Sequence, residues 1–368
     1  MSSRRDFLRA AGTSAAAALL ARVPAHGAAS RSDDDLDLSR WLQPVPPEAF
    51  FEDAGWCIWC GSMVAGDDGK FHLFYSRWPA ALGHRAWVTH SEIARAVADR
   101  PSGPYRHVEV VLPARERDAW DGACTHNPTI LRFGRKLYLY YMGNTGDRAP
   151  TSDLNWQHRS NQRIGVAVAD SPGGPWTRRD TPLIDVSADP AAPDAVMVSN
   201  PSVCARPGGG YLMIYKAVAK VAPPPAYGPV VHLVASSGRP DGPFTKRLAP
   251  IFTHAGEHFP AEDPYVWHDG RRYLAIVKDF KGVFTGRGRS LALFESADGF
   301  DWRQARHPLV GTTEIARTDG TRLKLNALER PQLWRDARGE PAVLFCAGAY
   351  SSDRTRSFNV AIPLRRPA

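Results

Sequence analysis

The chain has 368 residues, 43% of them hydrophobic and 23% charged, with a formal net charge of +8. That length is ample for a sizeable core in one large or two ordinary domains. The basic residues are scattered rather than gathered into one tract, which argues against a nucleic-acid partner and leaves acidic groups on a small ligand open.

Residues 1–30 read as a leader. Arg4 and Arg5 open a twin-arginine start, a short Ala/Leu run follows, and a small-residue exit precedes the mature chain. The apolar run is far shorter than the roughly 20 residues a membrane span needs. A Tat-type signal and a periplasmic or secreted protein without a membrane span are therefore expected, with residues 31–368 as a single domain. Five cysteines, Cys57, Cys60, Cys124, Cys204 and Cys346, form no spaced framework. Buried free thiols are the expectation, including for the pair in "WCIWC".

From residue 60 a pattern repeats about every seventy residues. "CGSMVAGDDGKFHLFYSRW", "HNPTILRFGRKLYLYYMGN", "SNPSVCARPGGGYLMIYKA", "EDPYVWHDGRRYLAIVKD" and "ERPQLWRDARGEPAVLFCAG" each pair an apolar strand with a second strand across a polar turn. "SEIARAVADRPSGPY", "RIGVAVADSPGGPW", "VHLVASSGRPDGPF" and "SLALFESADGFDW" follow the first four hairpins and supply a third strand and the start of a fourth. Five repeats of four strands with almost no helical periodicity predict an all-β, five-bladed β-propeller of antiparallel strands. A pair of sandwich domains would show no common period. After the fifth hairpin only "SFNVAIPL" remains, so the last blade needs its outermost strand from the N-terminal part of the mature chain.

Propeller geometry brings the starts of first strands, the ends of second strands and the starts of third strands to one face near the axis. Those places hold His126, Asn127, Asn200, Glu262, Asp263, Glu329 and Arg330, then Arg77, Trp78, Lys216 and Lys278, then His90, Glu92 and Arg163. An ordinary packing seam would carry Val, Ile or Ala there. Carboxylates, amides, cations and aromatics converging on one channel suit a carbohydrate, whose hydroxyls take paired donors and acceptors and whose ring face takes an aromatic platform. Cleavage of a glycosidic bond further needs two carboxyl groups flanking the anomeric carbon. Glu262, beside Asp263 and across from Lys278, fits the proton donor. For His126 a binding role is favoured over acid duty.

The repeats, the "ADSPGGPW" third-strand ending and the "EDP" of blade four resemble the five-bladed β-propeller glycoside hydrolases, the arabinanase and β-xylosidase (family 43-like) group with its invertase and neoagarooligosaccharide-hydrolase relatives. The resemblance covers most of the chain beyond residue 50. It implies an exported, exo-acting glycosidase in which Glu262 is the acid. Asn200 occupies the position of a blade-three aspartate, and "WCGS" stands where a blade-one aspartate would be the base or nucleophile. The base must then come from Asp53, Glu92, Asp121 or Glu329, with Glu92 and Asp53 ranked first for their nearness to the start of blade one; Asp121 otherwise binds substrate.

Two other readings stand beside it. A non-catalytic sugar-binding propeller accounts for the missing blade-one aspartate. A glycoside phosphorylase would use Arg77, Arg163, Lys216, Lys278 and Arg330 for phosphate, although export disfavours it. No spacing resembles a dedicated metal site, so no cofactor is expected; a hydrated divalent cation in the channel would need few protein ligands. The insertion "AKVAPPPAYGP" is expected on the channel face, shaping the pocket. The sequence carries no signal for the sugar, the linkage or the oligomeric state.

Overall fold

The computed structural model describes residues 36–367; the expected export signal lies outside them. After two short 3-10 turns comes a short strand β1 (Phe50–Phe51), then blade one, β2 (Trp56–Ala65), β3 (Phe71–Pro79), β4 (Glu92–Ala98) and β5 (Arg106–Leu112). Blade two is β6 (Cys124–Phe133), β7 (Lys136–Asn144), β8 (Arg163–Ala169) and β9 (Thr177–Arg178). Blade three is β10 (Met197–Ala205), β11 (Tyr211–Val218), β12 (Val230–Ser237) and β13 (Thr245–Ile251). Blade four is β14 (Ala261–His268), β15 (Tyr273–Asp279), β16 (Ser290–Ser296) and β17 (Arg303–Thr312). A small hairpin, β18 (Glu314–Ala316) and β19 (Arg322–Lys324), precedes blade five.

Blade five contains β20 (Ala327–Arg335), β21 (Pro341–Ala349) and β22 (Ser357–Pro363), and its outermost strand is β1. Phe50 pairs with Val360 and Phe51 with Asn359, so the chain's two ends close the ring as expected. The innermost strands β2, β6, β10, β14 and β20 neighbour one another in cyclic order, which makes the five sheets a five-bladed propeller. Each inner strand is covered on both faces by adjacent blades. The cover extends to the second strand of blade four, β15, "YLAIVKD", which is buried along its whole length, and such strands read as nearly continuous apolar runs.

Every innermost strand carries a β-bulge at the same place, between Trp59 and Ser62, His126 and Thr129, Ser199 and Ser202, Glu262 and Tyr265, and Glu329 and Gln332. The bulged residue is left-handed in each case: Cys60 (φ 57°), Asn127 (55°), Asn200 (52°), Asp263 (57°) and Arg330 (58°). Proline follows four of them. Having no N–H, it leaves no orphan donor at the bulge. In blade one Gly61 takes that place and gives its N–H to Asn359 Oδ1 at 3.0 Å, where a Cβ would press on Asn359 and Leu73.

The five left-handed side chains meet at the axis. The Cys60 thiol donates to Asn127 Oδ1 (3.1 Å), Asn127 Nδ2 to Asn200 Oδ1 (2.6 Å), and Asn200 Nδ2 to Asp263 Oδ1 (2.6 Å). From the other side Arg330 donates to Asp263 through its side chain (2.9 Å) and its backbone N–H (3.3 Å). A second layer ties the blades together just below. Ser62 Oγ takes the Ile130 N–H and donates to Gln332, Thr129 donates to the Pro201 carbonyl, Ser202 takes the Val266 N–H, and Tyr265 donates to the Leu333 carbonyl.

Asp263→Asn keeps this shape but leaves the buried Arg330 charge without its counter-ion, so it should lower stability by about 3 kcal/mol or more. Equilibrium urea unfolding of both proteins measures the difference.

Candidate active site

Above the hub lies a cavity of about 1210 Å³ whose floor includes Asn127, Asn200, Asp263 and Arg330. A separate, smaller cavity of about 460 Å³ sits around the other ends of the inner strands, near Ala65 and Trp334. In four of the five blades the residue just before the left-handed position lines the larger cavity: Trp59, His126, Glu262 and Glu329.

Glu262 and Glu329 come from adjacent blades and share one lysine. Lys278 Nζ stands 3.1 Å from Glu262 and 3.0 Å from Glu329. Lys216, at the end of β11, lies 2.8 Å from the other oxygen of Glu262, and Arg354 grips Glu329 at 2.8 Å. The row of charges is therefore Lys216, Glu262, Lys278, Glu329, Arg354. Burial pushes the Glu262 pKa up, yet Lys216 and Lys278 outweigh it and hold the carboxyl well below the ordinary range. Glu329 is also buried and is likewise held low, by Lys278 and Arg354. Burial raises Asp263, Arg330 opposes that, and all of its hydrogen bonds among the described residues are accepted ones.

The opposite wall is aromatic. Trp78 and Trp87 pack on His126 with ring centroids 5.6 and 4.9 Å apart, and Trp59 packs on His84 at 5.1 Å. His126 shares a 2.7 Å hydrogen bond with Ser91 through Nδ1 and faces the Cys60 thiol through Nε2. Burial, with Arg330, His84 and Lys216 behind it, keeps this imidazole neutral, which suits a hydroxyl partner and not a resting proton donor. The Cys60 thiol is pushed up to about 12 by burial, so it remains an S–H. All five cysteines are buried and unpaired. Phe259 and Phe280 stack at 4.8 Å on a third side, and the insertion after β11 brings Ala226, Tyr227 and Pro229 to the rim, where the sequence placed that loop.

Of the residues singled out in the sequence, Glu262, Trp78, His126, Asn127, Asn200, Lys216, Asp263, Lys278, Glu329 and Arg330 line this cavity. Six others do not. Arg77 is one residue from Trp78 and so points to the opposite face of β3, where it lies 4.0 Å over Trp56 and binds Glu92 at 2.9 Å, His107 at 3.2 Å and Asp53 at 3.9 Å. Glu92 and Asp53, ranked first as the base, thus serve that ion-pair cluster. Asp121 is fully buried and accepts from Arg115, Arg178 and Tyr141, clamping blade two. Arg163 pairs with Asp185, and His90 bonds Thr89 at the end of a one-turn helix α1 (Trp87–His90).

Among the base candidates, Glu329 is the one that reaches the cavity. Sequence reasoning did not reach Arg354, Trp87 or Arg159. The first precedes the third strand of blade five, the counterpart of the positions read in blades one and two; the other two sit in short loop helices with no periodic signal. Among the described residues no group of three or more His, Cys, Asp and Glu side chains could hold a metal ion.

No protein-family model matches the sequence, and no curated protein does. Solved structures do resemble the fold. Zg3597, a family 117 glycoside hydrolase from the marine bacterium Zobellia galactanivorans, is 18% identical over 85% of this chain and 86% of its own, with a TM-score of 0.61. The catalytic domain of a GH62 α-L-arabinofuranosidase from Coprinopsis cinerea is 14% identical over 89% and 98%, with a TM-score of 0.57. An α-L-arabinofuranosidase from Lactobacillus brevis is 11% identical over 87% and 92%, with a TM-score of 0.56. At these identities the likeness is one of fold.

Because the folded Glu262 pKa lies below its unfolded value of about 4.3, its pairing stabilises the protein fully above that pH and is lost as pH falls toward the folded pKa. Stability measured from about pH 5 down to pH 2 should therefore fall more steeply in the native protein than in Glu262→Gln, the two curves converging in acid.

Proposed function

We propose that this chain is a glycoside hydrolase that works on the ends of poly- or oligosaccharide chains. The observation that carries the reading is the pair of carboxylates, Glu262 and Glu329, held one ammonium apart on the floor of a cavity walled by Trp59 and Trp87. Two carboxyl groups at such close range are what glycosidic cleavage uses, and tryptophan faces are what a sugar ring packs on. The glycoside hydrolases among the fold's neighbours support it. A floor closed by the hub's hydrogen bonds favours a chain terminus over a through-going polymer. The twin-arginine start supports export.

The charges divide the labour differently from the expectation that Glu262 is the acid. With a lysine on each side, Glu262 rests as a carboxylate, the form a base or nucleophile needs. Glu329, whose outer partner is the half-buried Arg354, becomes the proton carrier when a bound sugar excludes water from the cavity and draws that arginine away. Arg354, half-buried and 5.5 Å from the Trp59 ring, is the partner that the sugar would draw off Glu329. The absent blade-one carboxylate favours one competing reading, a propeller that binds sugar without cleaving it.

Leaving-group dependence separates these roles. Glu329→Gln should lose about 10²–10⁴-fold of its turnover on an unactivated oligosaccharide but far less on a nitrophenyl glycoside, whose leaving group needs no proton. Glu262→Gln should be inactive on both. The opposite pattern returns the donor role to Glu262, and no turnover of either substrate by the unmutated protein supports the binding reading.

A further inference from the structure

Five arginines and two lysines line the cavity against five carboxylates, so positive charge is in excess even after every carboxylate is matched. Arg159 is one of the cations that contribute to it. This residue sits on a short helix α2 (Trp156–Ser160) in the connection between β7 and β8, half-buried. Among the described residues its guanidinium donates one hydrogen bond, to the Ala226 carbonyl at 3.0 Å, and stands 5.6 Å from the Trp156 ring. Among the described residues no carboxylate pairs with it, whereas Lys216, Lys278, Arg330 and Arg354 each hold one. Burial pushes its pKa down to about 10, with Glu262 the one charge working the other way. A half-buried guanidinium without a counter-ion keeps donors available for an incoming group.

A second, independent observation lies three residues on. Gln162 is fully buried and lines the same cavity, yet neither the nitrogen nor the oxygen of its side-chain amide has a hydrogen-bond partner. Its backbone carbonyl takes the Val198 N–H, which fixes it against the strand whose Ser199 is paired with Lys216. An arginine fork, an amide and an ammonium thus line one cavity, with Lys216 in contact with Glu262 and Arg159 within reach of its charge. That set matches a planar carboxylate or a sulfate, each of which offers several acceptors to a guanidinium.

We propose that the sugar taken by this cavity carries an anionic substituent, a carboxylate or a sulfate, bound by Arg159 with Gln162 and Lys216 beside it. The inference rests on the reading of the cavity as a sugar site and adds the substrate class, an acidic glycan. It also gives Lys216 a reason to be shared between Glu262 and the ligand. An arriving anion would take part of the ammonium's charge and leave Glu262 less tightly held.

Calorimetric titration with matched pairs tests it: methyl glycosides of glucuronic and galacturonic acid, glucose 6-sulfate and galactose 6-sulfate, each against its neutral parent. At least one acidic member should bind about tenfold or more tighter than its parent, the worth of one charge-assisted hydrogen bond. Arg159→Gln should remove most of that gap. Arg159→Lys, which keeps the charge but not the fork, should keep part of it, and thermal melts check that both variants fold. Whether the uronic acids or the sulfated sugars show the gap identifies the anion. If no acidic sugar outbinds its parent, or if the gap survives in Arg159→Gln, the proposal is wrong. Neutral glycosides cleaved without acidic preference would sink this inference and leave the hydrolase reading standing. Acidic sugars bound tightly but never cleaved would do the reverse.

Discussion

A left-handed residue inside a β-strand costs roughly 1–3 kcal/mol unless its surroundings hold it there. This protein places five of them around one axis. What holds them is a run of side-chain hydrogen bonds that ends on Asp263. Cys60 donates to Asn127, Asn127 to Asn200 and Asn200 to Asp263, while Arg330 donates to Asp263 from the other side; a carboxylate can end both runs because it only accepts. Each member belongs to a different blade, so the ring is complete only when all five blades are in place.

The site follows from that strain. A bulge disturbs the pleat locally, and in four of the five blades the residue before the left-handed position lines the cavity. Glu262 and Glu329 reach the cavity for this reason. Their approach would be repulsive without Lys278 between them, and the outer cations Lys216 and Arg354 complete an alternating row. The same row sets the chemistry, since it keeps both carboxyls ionised before a ligand enters.

The architecture was legible because a propeller repeats its hydrophobic pattern blade by blade. Even the closing strand β1 could be expected from the one missing element of blade five. The axis was legible too, through the starts of the first strands, which hold Asn127, Asn200, Asp263 and Arg330. What could not be read was which face a side chain takes when two candidates are neighbours. Arg77 and Trp78 are adjacent, and the pleat sends them to opposite sides; Glu92 and Asp53 followed Arg77 away from the cavity. Arg159 and Arg354 lie in connections whose course no periodicity describes, and their importance comes from what surrounds them in space.

The central claim is that one sugar unit sits on the hub between Glu262 and Glu329. A crystal structure with a bound monosaccharide product tests it most directly. The account predicts a ring within hydrogen-bond reach of both carboxylates, against the Trp59 and Trp87 wall, with the Lys216 or Arg354 contact rearranged. A sugar found instead in the smaller cavity near Trp334, or on the outer rim with the charge row from Lys216 to Arg354 unchanged, would contradict it.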